Sequence, residues 1–215
     1  RGIHASRVLN RLVAVTGEAQ QELLIISPYF VPRDGGTEGL VADVERGMRV
    51  AVLTNSLAAT DVAAVHTGYA RYRRELLRGG VELYEMKRKA GSTEGRQKIS
   101  VTGSSGASLH TKAMVIDQRW VYVGSMNLDP RSANLNTEMG VLVESAELAG
   151  QLRAQFERTI GPELSYKVVV EPDEGLVWYA HVDGKERRLE REPDASVWRR
   201  LSVTLMRAVP IESQL

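Results

Sequence analysis

In Ser108-Leu109-His110-Thr111-Lys112-Ala113-Met114-Val115-Ile116-Asp117 an imidazole, a cation and a carboxylate stand at the intervals H-x-K-x4-D. Gly124-Ser125-Met126-Asn127 follows as G-S-x-N. At average residue frequencies, six such letters at fixed spacing arise by chance in 215 residues about once in some hundred thousand chains. Neutral imidazole is available near pH 7, because its ordinary pKa is about 6.5, so His110 is able to attack phosphorus directly. That attack builds negative charge on the equatorial phosphoryl oxygens, which preorganised donors in a dry site stabilise. Lys112 and Asn127 suit that role, and Ser125 adds a hydroxyl. A nucleophilic imidazole also needs an acceptor on its second nitrogen to fix tautomer and ring direction. Glu138, in Asn136-Thr137-Glu138-Met139-Gly140, is the candidate, although its place at the mouth of an apolar strand also suits an exposed edge residue. No paired His or Cys at ligand spacing accompanies His110, Asp117 and Glu138, so no metal is expected.

The elements that must position these groups are two β-rich runs, Leu109 to Asp117 and Trp120 to Gly124, which read as an antiparallel hairpin. A two- or four-residue loop centred on Gln118-Arg119 pairs Lys112 with Ser125 and His110 with Asn127. All four then share one face at one end, above an apolar patch of Met114, Ile116, Val121 and Val123. Asp117 lies an odd number of residues from His110 and so points to the opposite face. It is expected to accept hydrogen bonds at the turn.

Upstream, residues 6 to 20 have helical periodicity, with Val8, Leu9, Leu12, Val15 and Ala19 on one side. The strand from Leu23 to Ser27, a helix around Thr37 to Arg46 and the strand from Val50 to Thr54 come next. A longer helix from Asp61 to Arg78 stops at Gly79-Gly80 before the strand from Val81 to Tyr84. His66 reads as an ordinary residue of that helix. This order predicts an α/β fold: a mixed sheet with a mostly parallel core, to which the hairpin and the run after Met139 add antiparallel strands. Ligands of such sheets bind beyond the carboxyl ends of parallel strands, where Tyr29, Asn55 and Ser56 stand as substrate-binding candidates or as loop-forming residues. Residues 87 to 107 are rich in Gly, Ser, Lys and Arg and read as a linker or a basic lid. The expected catalytic unit spans 1–166. An appendage of short strands and a final helix occupies 167–215, with Val197, Trp198, Leu201 and Leu205 on the apolar side of that helix. Such a stripe packs on the domain or lies in a membrane interface.

A composition of 43% hydrophobic and 26% charged residues is that of an ordinary globular domain. The net charge of +1 carries no global basic field, and aromatic residues are sparse, so nucleic acid is not the expected partner. Without cysteine there is no disulfide or thiol chemistry, which suits a cytoplasmic setting. No apolar stretch is long enough to span a bilayer. Arg1 is neither an initiating methionine nor the start of a signal peptide, so the chain reads as a cut inside a longer protein.

The string from His110 to Asn127 resembles the HKD signature of the phospholipase D superfamily. Ser27-Pro28-Tyr29-Phe30-Val31-Pro32, Leu53-Thr54-Asn55-Ser56-Leu57-Ala58-Ala59-Thr60-Asp61, Asn127-Leu128-Asp129-Pro130-Arg131-Ser132 and Leu135-Asn136-Thr137-Glu138-Met139-Gly140 look like bacterial two-motif cardiolipin synthases. The resemblance implies a phosphatidyltransferase working through phosphohistidine at His110, with Lys112 and Asn127 on the phosphate, Glu138 on the second imidazole nitrogen, and no cofactor. It also implies a phospholipid substrate and peripheral contact with the cytoplasmic side of the cell membrane. The family uses two such histidines and this chain has one, since His4, His66 and His181 lack the lysine two places on. The expected partner is therefore an N-terminal half of the same polypeptide, or a second copy of this chain. The rivals are a nuclease of the same superfamily and a catalytically incomplete fragment that binds lipid or phosphate.

Overall fold

The computed structural model describes residues 7–88, 109–134, 137–171 and 175–206. In chain order the elements are α1 (Arg7–Gly17), β1 (Glu22–Ile26), α2 (Arg33–Glu45), β2 (Arg49–Asn55), α3 (Ala63–Arg78) and β3 (Glu82–Met86). Then follow β4 (Lys112–Ile116), β5 (Trp120–Gly124), α4 (Pro130–Asn134), β6 (Gly140–Glu144) and α5 (Ala146–Thr159). The last are β7 (Ser165–Glu171), β8 (Gly175–Val182), β9 (Lys185–Leu189) and α6 (Val197–Met206).

Among the described residues, all strands join one nine-stranded sheet in the order β6-β5-β4-β1-β2-β3-β7-β8-β9. Only β1–β2 and β2–β3 run parallel. This parallel centre is buried on both faces, which is why β1 and β2 read as continuous apolar runs rather than alternating ones. On one face Leu23, Ile25, Val50 and Val52 pack with α1 through Leu12 and Val15, and with α3 through Tyr69 and Leu76. On the other, Leu24, Ile26, Ala51 and Leu53 pack under Ala149 and Phe156 of α5. The boundary expected at 166/167 falls within β7, which pairs antiparallel with β3.

The hairpin that carries the H-x-K string differs from expectation. Asp117 and Gln118 both take positive φ, 50° and 52°, and the Arg119 N–H donates to Ile116 O at 3.0 Å. Ile116 pairs with Trp120 and Lys112 with Gly124, so three residues separate the paired strands instead of two or four. The odd length moves the register by one. Met114 and Ile116 share their face with Trp120 and Tyr122, while Val121 joins Ala113 and Val115 beneath α5. Val123 is half exposed. The single patch expected of Met114, Ile116, Val121 and Val123 is thus split across the sheet. Aspartate tolerates the left-handed region better than most side chains. Here its carboxylate also accepts the backbone N–H groups of Gln20, Gln21 and Glu22 at 2.9, 2.8 and 3.0 Å, and its own N–H donates to Glu22 O. That long-range anchor selects the turn.

A buried ionic cluster ties the final strands to α3. The Arg73 guanidinium donates to Glu85 Oε1 at 2.8 Å and to Glu192, and its planar face lies over Tyr69 and Trp178. Trp178 Nε1 donates to the other Glu85 oxygen at 2.9 Å, and His66 Nε2 stands 3.4 Å from Glu192. His66 is therefore a packing residue in the interior. Lys87, expected at the start of an exposed loop, is also buried, donating to Pro162 O and His181 O at 2.8 and 2.7 Å. The rest of that loop, from residue 89 to 108, lies outside the described residues.

Candidate active site

His110 sits in the short segment that leads into β4 and is exposed, whereas its neighbour Leu109 is buried in the core cluster beneath α5. What separates the two is Asn55, the last residue of β2. Its amide Nδ2 donates to Leu109 O at 3.2 Å, and its Oδ1 accepts the Leu109 N–H at 2.9 Å. Both peptide groups of Leu109 are satisfied by one buried side chain, so the backbone entering His110 is held from both sides. Asn55 was expected either to line the substrate pocket or to form the loop; its amide is bonded to the segment that carries the imidazole. Ser56 is wholly buried, its hydroxyl accepting the Ala59 N–H and its own N–H donating to Met86 O, so it forms the turn after β2.

Lys112, the first residue of β4, reaches back and donates from Nζ to His110 O at 2.8 Å. Burial pushes its pKa below the ordinary lysine value, and the carboxylates of Glu138, Asp129 and Asp61 act against that shift. Three acids thus converge on this lysine, two of which, Asp61 and Asp129, were not anticipated from sequence. Asp129 accepts the N–H groups of Arg131 and Ser132 at 2.9 and 3.0 Å and so caps α4. Asp61 accepts the Tyr29 hydroxyl at 2.6 Å. Burial and that carboxylate raise the Tyr29 pKa well above its ordinary value, so the phenol stays protonated. The only sequence signal for either acid was membership of the Thr54–Asp61 and Asn127–Ser132 strings.

Ser125 and Glu138 meet where β5 passes to β6. The Ser125 hydroxyl donates to Glu138 Oε2 and accepts the Met139 N–H at 2.9 Å. The serine proton therefore points at the glutamate rather than into open space. Asn127 is half-buried, and its Oδ1 is buried with no hydrogen-bond partner among the described residues, so that oxygen is unused by the fold. Its position is set by the next residue: Leu128 bridges to Phe30, its N–H donating to Ser27 Oγ and its carbonyl accepting from Val31. This stitch brings Asn127 to the carboxyl end of β1. Asp117 belongs elsewhere. It lies just past the far end of β4, about 16 Å from Lys112 at a rise of about 3.3 Å per residue. A small cleft lined by Pro28, Phe30, Asn55, Thr60, His66 and Tyr69 opens beside the Asn55 clamp but contains neither His110 nor Lys112.

An exposed imidazole, a neighbouring lysine and a half-buried amide thus stand at the carboxyl end of the parallel strands. Residues 12–160 match the family described as cardiolipin synthase, phospholipase D-like domain. The chain belongs to this family. Cardiolipin synthase C of Escherichia coli K12 is 42% identical over 202 residues, which is 94% of this chain and 42% of that protein. The chain thus spans less than half the length of this relative. Among solved structures, phosphatidylserine synthase of Haemophilus influenzae aligns over 99% of this chain and 45% of its own, with a TM-score of 0.60 at 13% identity. Nuc, a phospholipase D family member of Salmonella typhimurium, aligns over 70% of this chain and 85% of its own, with a TM-score of 0.54 at 17% identity. Both likenesses concern the fold alone, a mixed α/β architecture that this chain shares with these two proteins.

Proposed function

We propose that this chain is one catalytic half of a phosphatidyltransferase that acts on phospholipid phosphodiesters through a phosphohistidine at His110. The observation that carries the reading is the double Asn55 clamp on Leu109, which fixes an exposed imidazole beside Lys112. In the reaction, an imidazole nitrogen of His110 forms a bond to phosphorus and the bond to the leaving alcohol oxygen breaks. Lys112 and the Asn127 amide meet the charge that develops on the non-bridging oxygens, and Glu138, shared with Ser125, holds the imidazole's other nitrogen. The leaving oxygen takes its proton from a second HKD histidine, supplied by the other half of the enzyme or by a second copy of this chain. An acceptor alcohol then gives up its proton to that second histidine and attacks the phosphohistidine, which frees His110. The net charge of +1 favours lipid over nucleic acid as the source of the diester, because duplex binding draws its affinity from many cationic contacts.

The test is a rapid denaturing quench, in detergent at neutral to mildly alkaline pH, of the full-length enzyme during turnover of labelled phosphatidylglycerol. A base-stable, acid-labile adduct on His110 is expected, and His110→Asn should abolish both adduct and product. Turnover retained in that variant would overturn the mechanism. Cleavage of a labelled oligonucleotide in place of the lipid would transfer the same chemistry to the nuclease reading.

A further inference from the structure

Tyr122 of β5 is buried, and its hydroxyl has no hydrogen-bond partner among the described residues. The side chain leans along its strand toward the G-S-x-N string. A Cβ at Gly124 would stand 2.3 Å from the phenol oxygen, and one at Gly140 would stand 2.7 Å from that oxygen and 2.4 Å from Cε2. The ring thus fills the space that two glycines leave open. Gly124 and Gly140 pair across β5 and β6, and Gly124 pairs on its other side with Lys112 of β4. Alternation puts Tyr122, Gly124, Lys112 and Gly140 on one face of the sheet. The phenol oxygen therefore lies in the row headed by Lys112, where the Ser125–Asn127 segment begins.

A buried phenol ordinarily finds an acceptor, because an orphaned hydroxyl costs stability. The backbone of Met126 lies beside this oxygen without closing a hydrogen bond, and it offers nothing to the proton. Burial raises the phenol pKa above its ordinary value, so the proton stays in place. One residue beyond Met126 is the complementary orphan, since Asn127 Oδ1 is a buried acceptor without a donor. A side-chain amide is able to turn either its nitrogen or its oxygen toward a ligand, and the two ends have nearly the same shape. Against a phosphate the oxygen end would set one negative dipole against another. A fixed donor at the oxygen end decides between the two.

We propose that Tyr122 is the positioning residue for Asn127: its hydroxyl donates to Asn127 Oδ1 when a phosphodiester occupies the site, which holds the amide nitrogen toward the phosphoryl oxygens. Hydrogen bonds in a free site are often long and close only in the complex. Tyr122 itself touches no substrate and acts through the amide alone. The inference rests on the proposed function, which puts Asn127 on the phosphate. It also accounts for the first letter of the G-S-x-N string. Gly124 is not among the glycines of positive φ, so clearance for the phenol, rather than backbone conformation, is what requires glycine there.

Tyr122→Phe keeps the ring and removes only the donor. In the full-length enzyme acting on phosphatidylglycerol it should lower kcat about tenfold, the worth of one neutral hydrogen bond, with KM near that of the parent. Its midpoint in urea should equal or exceed the parent's, because a buried hydroxyl without a partner is gone. In an Asn127→Ala background the same change should have no further effect on kcat, since the amide that it orients is missing. Tyr122→Phe at the parental kcat, or losses that multiply in the double variant, would overturn the proposal while leaving the proposed function standing. Asn127→Ala at the parental kcat would instead remove Asn127 from the proposed chemistry and overturn this inference with it, so the two failures are told apart.

Discussion

Replacing Asn55 by alanine removes, in one change, the acceptor for the Leu109 N–H and the donor to the Leu109 carbonyl, at 2.9 and 3.2 Å. Leu109 is buried, so neither peptide group finds bulk water without the segment opening. An orphaned buried polar group costs about 1–3 kcal/mol, and partial opening relieves some of the sum, so a loss of about 2–4 kcal/mol is expected. In a domain of this size that corresponds to a fall in Tm of about 4–16 °C, which calorimetry and urea unfolding measure directly. Because the released segment is the one that aims His110, kcat in the full-length enzyme should fall about a hundredfold with little change in KM, since displacements near 1 Å are worth that much. Asn55→Asp gives the sharper readout. A protonated aspartic acid has the shape of asparagine and reproduces both bonds, whereas the carboxylate faces the Leu109 carbonyl with no proton to offer. Burial and that carbonyl favour the protonated form in the folded state. The variant's deficits in stability and rate relative to the parent should therefore shrink as pH falls, and widen above the variant residue's raised pKa. An Asn55→Ala enzyme within about threefold in kcat and about 1 kcal/mol of the parent would refute the positioning role, given the costs of orphaned groups.

Asp117→Ala should destabilise the fold by about 1–3 kcal/mol in urea through the freed N–H groups of Gln20, Gln21 and Glu22, yet leave kcat per folded molecule near that of the parent. Inactivity in a fully folded variant would place Asp117 in the chemistry after all. Because burial depresses the Lys112 pKa, its charge is lost below the ordinary value of 10.5 as pH rises, and kcat/KM of the full-length enzyme should show an alkaline limb there. Lys112→Arg should move that limb out of the measurable range, and an unmoved limb would assign it to another group. Arg73→Ala leaves Glu85 buried without its cation and should cost about 3–5 kcal/mol by urea unfolding. That deficit should shrink in acid as the stranded carboxylates take up protons, and a pH-independent deficit would argue against an ionic cause.

The parts of the fold and site that were legible in sequence are those set by local pattern. β1 and β2 announce themselves because strands buried on both faces are apolar throughout. α3 ends where Gly79-Gly80 says it should, with Gly80 at a φ of 83°. His110 and Lys112 stand out because their spacing is improbable by chance. The misreadings involve partners distant in the chain. The length of the turn at Asp117 depends on three N–H groups about a hundred residues upstream, and the role of Asn55 on a peptide 54 residues downstream. Lys87 reads as a solvated charge until Pro162 and His181 supply carbonyls for it. α5 carries a local signal of its own, since Ser145 caps it by accepting the Leu148 N–H and Ala149 and Phe156 bury at helical spacing.

The odd turn at Asp117 also makes the spacing between the two motif strings a ruler. Lys112 opens β4, Gly124 closes β5, and the two are paired directly across the hairpin. Every residue between them is committed to a strand or to the three-residue turn. Adding or removing one residue at the turn would slide β5 along β4 by about 3.4 Å and exchange its two faces. Every residue from Ser125 onward would then change its place against β4, although the edit lies on the surface at the opposite end of the sheet. Insertions in the turns of a sheet are normally the mildest of changes. In this chain a surface turn of that kind sets how the G-S-x-N string lies against the H-x-K string, and its length can change without that shift only together with a compensating change in one of the two strands.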